Sequence, residues 1–321
     1  MQRYLATKLL LTIPLVMAVA IMIFVLLELA PGSPIDQYVD RHTTPETRAL
    51  LMERFQLDQS PAVRLTTLLR NLFTLELGVS LDRQRPVLTL IAEALPYSLM
   101  LGVTTLATLF PAGMLLGLLQ AVRHRTTLDT GSSVVSLFFY SMPTFWLAMV
   151  LQLTLAYHLD LFPLDNTQSI MARFWSAPWR VLDTLWHLVL PGIALGLAEM
   201  AGVARYMRGS LLDALQADYV RTARAKGVPE RWVIGHHALR NSLLPLITLL
   251  GLSLPSLFTG AVLVETVFSW PGMGTLIYEA ILVQDTPVIV GCFFVITLLV
   301  VAGNVLADVL YSVIDPRIRI Q

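Results

Sequence analysis

Six stretches of the chain read as long apolar runs, at residues 9–30, 95–122, 131–157, 188–205, 243–266 and 288–311. Crossing a hydrocarbon core of about 30 Å takes roughly 20 apolar residues in a helix. The pattern therefore predicts an all-α integral membrane protein with about six transmembrane helices. The run at 188–205 is the weakest, because Glu199 interrupts it. The first run follows Arg3 and Lys8 but is longer than the 7–15 or so apolar residues of a signal peptide. It reads as an uncleaved span, closed by the breaker Ala30-Pro31-Gly32.

Between the runs, basic residues alternate from one loop to the next. The N-terminal tail holds Arg3 and Lys8, the second loop Arg123 and Arg125, and the C-terminal tail Arg317 and Arg319. The fourth loop with its margins holds Arg205, Arg208, Arg221, Arg224, Lys226, Arg231 and Arg240, whereas 267–287 has no Lys or Arg. The positive-inside rule then places both termini and loops two and four in the cytoplasm. The first loop carries seven Arg, but loops of about 60 residues or more escape the rule.

That loop is patterned rather than featureless. Leu65, Leu68, Leu69, Leu72 and Phe73 recur at helical spacing behind Pro61, and Thr44-Pro45-Glu46 opens another short helix. Residues 86–94 read as an amphipathic lead into the second span. The chain divides into a tail and first span (1–30), an extracytoplasmic helical loop (31–94) and a core of five spans (95–321) that includes a cytoplasmic loop at 206–242. Phe174, Trp175, Trp179 and Trp186 in the third loop suit the water–lipid interface.

Composition agrees with a membrane solvent: 55% of residues are hydrophobic and 14% charged, against about 25% charged in soluble domains. The net charge of zero gives no argument for nucleic acid. The single cysteine, Cys292, forms no internal disulfide and reads as a small core residue. There is no Walker A pattern and no His-Glu-x-x-His. The adjacent His236 and His237 would diverge by about 100° on a helix and make a poor metal site.

Polar residues within spans cost free energy and so mark candidate function. Thr104, Thr105 and Thr108 suit a polar path, although threonine hydroxyls also bond back to their own helix. Glu199, six residues before Arg205, suits either an ion pair or a lining role. Glu28 lies near the outer end of its span, within reach of water, and Asp308 near the inner end, within reach of Arg317. Gln152 and Asn304 complete the set.

The fourth loop carries the most information. Residues 205–226 read as a helix leaving the membrane, Gly227 as the left-handed residue that ends it, and Pro229-Glu230 as the start of a second helix to about 239. A basic helix–turn–helix with small residues at Ala223, Ala225 and Gly227 has the physical form of a docking knob. The bland alternative is a loop that only obeys the charge rule, which would not require the Gly-x-Pro turn.

At this segment a family resemblance enters. Residues 219–227 (YVRTARAKG) followed by 237–245 (HALRNSLLP) resemble the cytoplasmic "EAA" loop of bacterial ABC importer permeases, in the version of the dipeptide, oligopeptide and nickel branch. Arg221 and Thr222 stand where the wider family has Glu and Ala. Residues 29–34 (LAPGSP), 55–59 (FQLDQ), 77–80 (LGVS), 85–87 (RPV), 265–274 (ETVFSWPGMG) and 315–319 (DPRIR) are similar to the same branch, in the same order.

The resemblance implies a type I-like permease fold in the bacterial inner membrane, forming half of a translocation pore. It implies a homologous second permease subunit, two ATP-binding subunits beneath, an extracytoplasmic solute-binding protein, and no nucleic acid. ATP and Mg would stay on the ATPase subunits, leaving no cofactor on this chain, which is then not itself an enzyme. Ala223 and Gly227 match the family's docking core, with Ala225, Lys226, Val228, Pro229, Glu230 and Arg231 around it. Trp270, Pro271 and Gly272 fall in a segment expected to turn at the outer gate. A peptide is the leading solute, with a nickel chelate as the alternative. An ion-driven secondary transporter or a membrane scaffold are rivals from other classes, and neither needs a docking knob.

Overall fold

The computed structural model describes residues 2–30, 33, 35, 39, 44–54, 57–253 and 261–314, and among them every regular element is a helix. Four helices are long and apolar enough to cross a membrane: α1 (Gln2–Leu29), α4 (Val87–Val122), α7 (Ala177–Gln216) and α14 (Thr286–Ile314). A fifth span exists if α5 (Thr127–Ser141) and α6 (Thr144–Leu151) count together.

That pair is bent by 102°, so the expected straight helix over 131–157 is corrected. The cause is local: a residue before proline avoids the helical region, and Met142, before Pro143, has ψ 136°. The run at 243–266 is seen as α11 (Leu244–Ser253) and again from Ala261 onward, with 254–260 outside the described residues.

Two helices start earlier than hydropathy alone places them. The lead at 86–94 is the first part of α4 itself. Helix α7 opens at Ala177 with Pro178 in its first turn, not at 188. Arg180, Asp183 and His187 dilute the apolar signal there, although Asp183 and His187 are buried. Asp183 accepts hydrogen bonds from the Ser169 N–H and hydroxyl, both at 2.7 Å. Trp179 and Trp186 therefore sit on α7 rather than in a loop, and Trp186 stacks on Phe162.

The crossing of α4 and α7 organises the bundle. A Cβ on Gly113 would lie 2.7 Å from Val203, and one on Gly117 would lie 2.4 Å from the Ala204 carbonyl. Gly192 and Gly196 meet Thr104 and Thr108 in the same way. Small residues at four-residue spacing on both helices let the backbones approach closely, which is how helices associate in lipid.

The loops gather at two ends. At one end Arg208 of α7 donates to Asp129 at the start of α5, fastening the turn at 123–126 beside the base of α7. At the other end lie α2 (Pro45–Arg54), α3 (Pro61–Phe73) and the segment after α3. The predicted amphipathic helix is α3, with Leu68, Leu69 and Leu72 packed toward α1 and α14. Asp285, before α14, accepts from the Ser80 hydroxyl at 2.6 Å and from the Asp82 N–H at 3.2 Å. Glu28 does not simply reach water: Arg64 of α3 donates to both its oxygens, at 2.6 and 2.7 Å. The expected partner of Asp308, Arg317, is outside the described residues, as is the segment 315–319.

Candidate functional site

The loop at 206–242, expected on the cytoplasmic side, folds as a knob at the end of α7. Helix α7 stops at Gln216, Ala217 is extended, and α8 (Asp218–Ala225) begins at once, so the expected single helix over 205–226 is in fact two. Val220 and Ala223 of α8 are buried together with Met207, Leu211, Val233 and Ala238. This apolar base fixes the knob on the membrane helix.

Gly227 has φ +76°, the left-handed conformation expected of it. The Gly227 N–H bonds the Arg224 carbonyl at 3.0 Å, and the Val228 N–H bonds the Ala223 carbonyl at 3.2 Å. These two bonds are the Schellman ending, with Val228 and Ala223 supplying its apolar contact. Pro229 is the cap preceding α9 (Glu230–Trp232), one position earlier than the helical turn assigned to it. The helix continues through a π segment, Val233–Ala238, into α10 (Leu239–Ser242).

Arg224 and Glu230 face each other across this turn, with the guanidinium donating to both carboxylate oxygens. The Arg224 side chain holds the Glu230 carboxyl below the usual carboxylate range. Ala223 is buried inside the knob, Val228 is half-buried, and Ala225, Lys226, Gly227, Pro229, Glu230 and Arg231 are exposed. Space around Gly227 is open: a Cβ there would meet nothing within 4 Å. Trp232, 57% exposed beside Arg231, was not singled out from the sequence. An exposed tryptophan next to a Gly-x-Pro turn is the signal that would have found it.

The segment 265–274 folds as a second compact unit. Helix α12 (Val262–Val267), a tight turn, and α13 (Met273–Leu282) close around Glu265, which is fully buried. Its Oε1 accepts from the Ser98 hydroxyl at 2.9 Å, and its Oε2 accepts from the Thr275 N–H at 2.8 Å. A carboxylate here satisfies a free N–H in the first turn of α13 and suits the positive end of that helix. Ser98 in turn accepts from the Met273 N–H at 2.8 Å. Trp270 is also fully buried and donates its indole N–H to the Tyr97 carbonyl at 2.9 Å. Gly272 is small by necessity, since a Cβ would lie 2.3 Å from Glu265 Oε1. Pro271 and Gly272 line a cleft of about 850 Å³ whose rim carries Arg83, Glu93 and Glu279. Glu265 itself, the hub of this unit, was not recognised as such from the sequence, because nothing in a run of apolar residues shows what a lone carboxylate will meet.

The in-span threonines use their hydroxyls locally. Thr104 and Thr105 donate to the Met100 and Leu101 carbonyls, both at 2.8 Å, and Thr108 donates to Thr105 at 2.9 Å and Gly192 at 3.2 Å. Gln152 bridges the Leu164 and Val267 carbonyls. Glu199 stands apart: it is exposed, and Arg205 does not pair with it but lies over the Tyr140 ring at 5.3 Å. Among the described residues no cluster of three or more His, Cys, Asp and Glu is placed to hold a metal ion.

Residues 113–320 match the family model described as binding-protein-dependent transport system inner membrane component. The chain is 35% identical over 320 residues to the oligopeptide transport system permease protein AppB of Bacillus subtilis (strain 168), covering 99% of this chain and all of that one. It is 39% identical over 323 residues to a putative peptide permease protein of Brucella suis biovar 1, with both chains covered in full. It is 35% identical to the dipeptide transport system permease protein DppB of Alkalihalophilus pseudofirmus, over 99% of this chain and all of that one.

Proposed function

Since the chain belongs to the family of binding-protein-dependent transport system inner membrane components, we propose that it is the permease subunit of a peptide importer whose ATPases grip the knob around Gly227. Family membership makes it a multi-pass inner-membrane transport subunit that works with a binding protein. The peptide solute is favoured over a nickel chelate by relatives that are themselves named as oligopeptide and dipeptide permeases.

The observation that carries the reading is the knob itself. A rigid Schellman turn, braced by the Arg224–Glu230 pair and seated on a buried base, presents Lys226, Gly227 and Arg231 to an incoming partner. A loop with no partner would not need a rigid, open tip on a fastened base. In the proposed cycle, ATP draws two ATPase subunits together. Each pulls the knob it holds, and the rigid base passes that movement to α7. A homologous second permease supplies the other half of the pore, and both termini lie in the cytoplasm on the side of the knob. The unit around Glu265, at the opposite end of the bundle, forms part of the outer gate.

The test is to co-purify the complex from cells expressing this chain with its candidate partners. The expected result is two ATPase subunits and a second permease, with ATP hydrolysis stimulated by the peptide-loaded binding protein. Recovery of this chain alone, active in uptake without ATP hydrolysis, would instead favour an ion-driven carrier.

A further inference from the structure

We infer that Glu199 is the charge that meets the solute inside the pathway, its carboxylate receiving the ammonium group that every unblocked peptide carries. The inference rests on the permease reading above and deepens it.

Glu199 lies within α7, in the part of the helix packed along α4. A carboxylate facing lipid at that depth is costly, so such groups face protein or water. Among the described residues Glu199 has no hydrogen-bond or ion-pair partner, yet its side chain is exposed. The nearest cations along the helix are committed elsewhere, Arg205 over Tyr140 and Arg208 to Asp129. The charge is therefore left unmatched among the described residues.

The face that carries it is open. Gly202 and Gly209 follow Glu199 on the same side of α7, and a Cβ on either would meet nothing within 4 Å. Tyr206 between them is 58% exposed. Gly192, Gly196, Val203 and Met207 of α7 are held against α4, and Glu199, seven residues after Gly192 and four before Val203, lies at the edge of that contact. The open stripe thus descends from Glu199 toward the knob, along the helix that the ATPases would move.

A carboxylate complements a group with several N–H donors and a positive charge. An alkylammonium is such a group, and a peptide's carboxylate end is not.

The experiment uses the assembled complex in proteoliposomes, with saturating binding protein and trialanine as solute. Glu199→Gln is expected to lower uptake about tenfold or more, the size of losing one charge-assisted hydrogen bond, while Glu199→Asp retains most of it. Uptake by Gln equal to wild type, or equal loss in Gln and Asp, overturns the inference. A second measurement does not depend on turnover. Because Cys292 is fully buried, Glu199→Cys adds one reactive thiol. It should react with a membrane-impermeant maleimide, more slowly when trialanine and loaded binding protein are present. No reaction, or a rate unaffected by solute, also overturns the inference. If instead the wild-type complex takes up trialanine without hydrolysing ATP, it is the importer reading that fails.

Discussion

Arg224 and Glu230 clasp each other across the Gly227 turn, with Arg224 Nη2 2.6 Å from one carboxylate oxygen and Nε 3.1 Å from the other. The pair joins the end of α8 to the start of α9, so it sets the angle at which the knob presents its tip. Exposed ion pairs contribute only about 0.2–1 kcal/mol to stability. Its value here is geometric: two helices and a left-handed residue are held as one body. Glu230→Arg should therefore leave the protein as stable as wild type but reduce coupled uptake several-fold. Adding Arg224→Glu, which restores the pair in reverse, should recover a good part of the loss. Uptake and ATPase rates of both variants decide it, and a double variant worse than the single would contradict the bracing role.

The open tip gives a cleaner probe. At Gly227 an added side chain meets no atom within 4 Å, so the only internal cost is the left-handed conformation, about 1–2 kcal/mol and least for Asn or Asp. Gly227→Asp should fold and reach the membrane, yet lose transport by about tenfold or more through displacement of the partner ATPase. Purification of the complex followed by parallel uptake and hydrolysis assays checks this, and hydrolysis without matching uptake is the expected signature.

At the other end, the hub predicts a structural phenotype. Glu265→Ala removes the acceptor for Ser98 and Thr275 and leaves a void where the carboxylate was. Unpairing hydrogen bonds made to a buried charge costs about 1.5–3 kcal/mol each. A fall in the thermal midpoint of the purified protein should follow. Gly272→Ala should do the same by crowding, since its Cβ would press into Glu265. Midpoints equal to wild type for both variants would contradict the hub.

The contact between α3 and α1 should loosen in a graded way. Glu28→Gln keeps a hydrogen-bond acceptor for Arg64 but removes the charge, so α3 should detach from α1 more often. Limited proteolysis of the purified protein should cut the 44–86 region faster, with the thermal midpoint little changed, as about 0.2–1 kcal/mol implies. Unchanged cleavage would mean that the packing of Leu68, Leu69 and Leu72 holds α3 alone.

Much of this was legible in the residues. Gly227 two positions before Pro229 announced the turn, because only a left-handed residue ends α8 that way and proline cannot continue it. The apolar runs announced α1, α4 and α14. What escaped was whatever depends on contacts distant in sequence. The early start of α7 was hidden because Asp183 and His187 lower local hydropathy, although burial and hydrogen bonds satisfy them. The bend at Met142-Pro143 was hidden because hydropathy does not register a break between two apolar helices. Glu28 reads as a water-facing end until α3 brings Arg64 to it. Glu265 reads as one residue of a motif until α13 places the Thr275 N–H beside it.

The central claim, that partner ATPases drive this chain through the knob, is tested most directly by crosslinking at Lys226. Lys226→Cys places an exposed thiol at the tip, in a chain whose one native cysteine is buried. The account predicts a crosslink from residue 226 to an ATPase subunit in the assembled complex, with a yield that changes on adding ATP. A complex that transports peptide while residue 226 forms no crosslink to any ATPase subunit, with or without ATP, would contradict it.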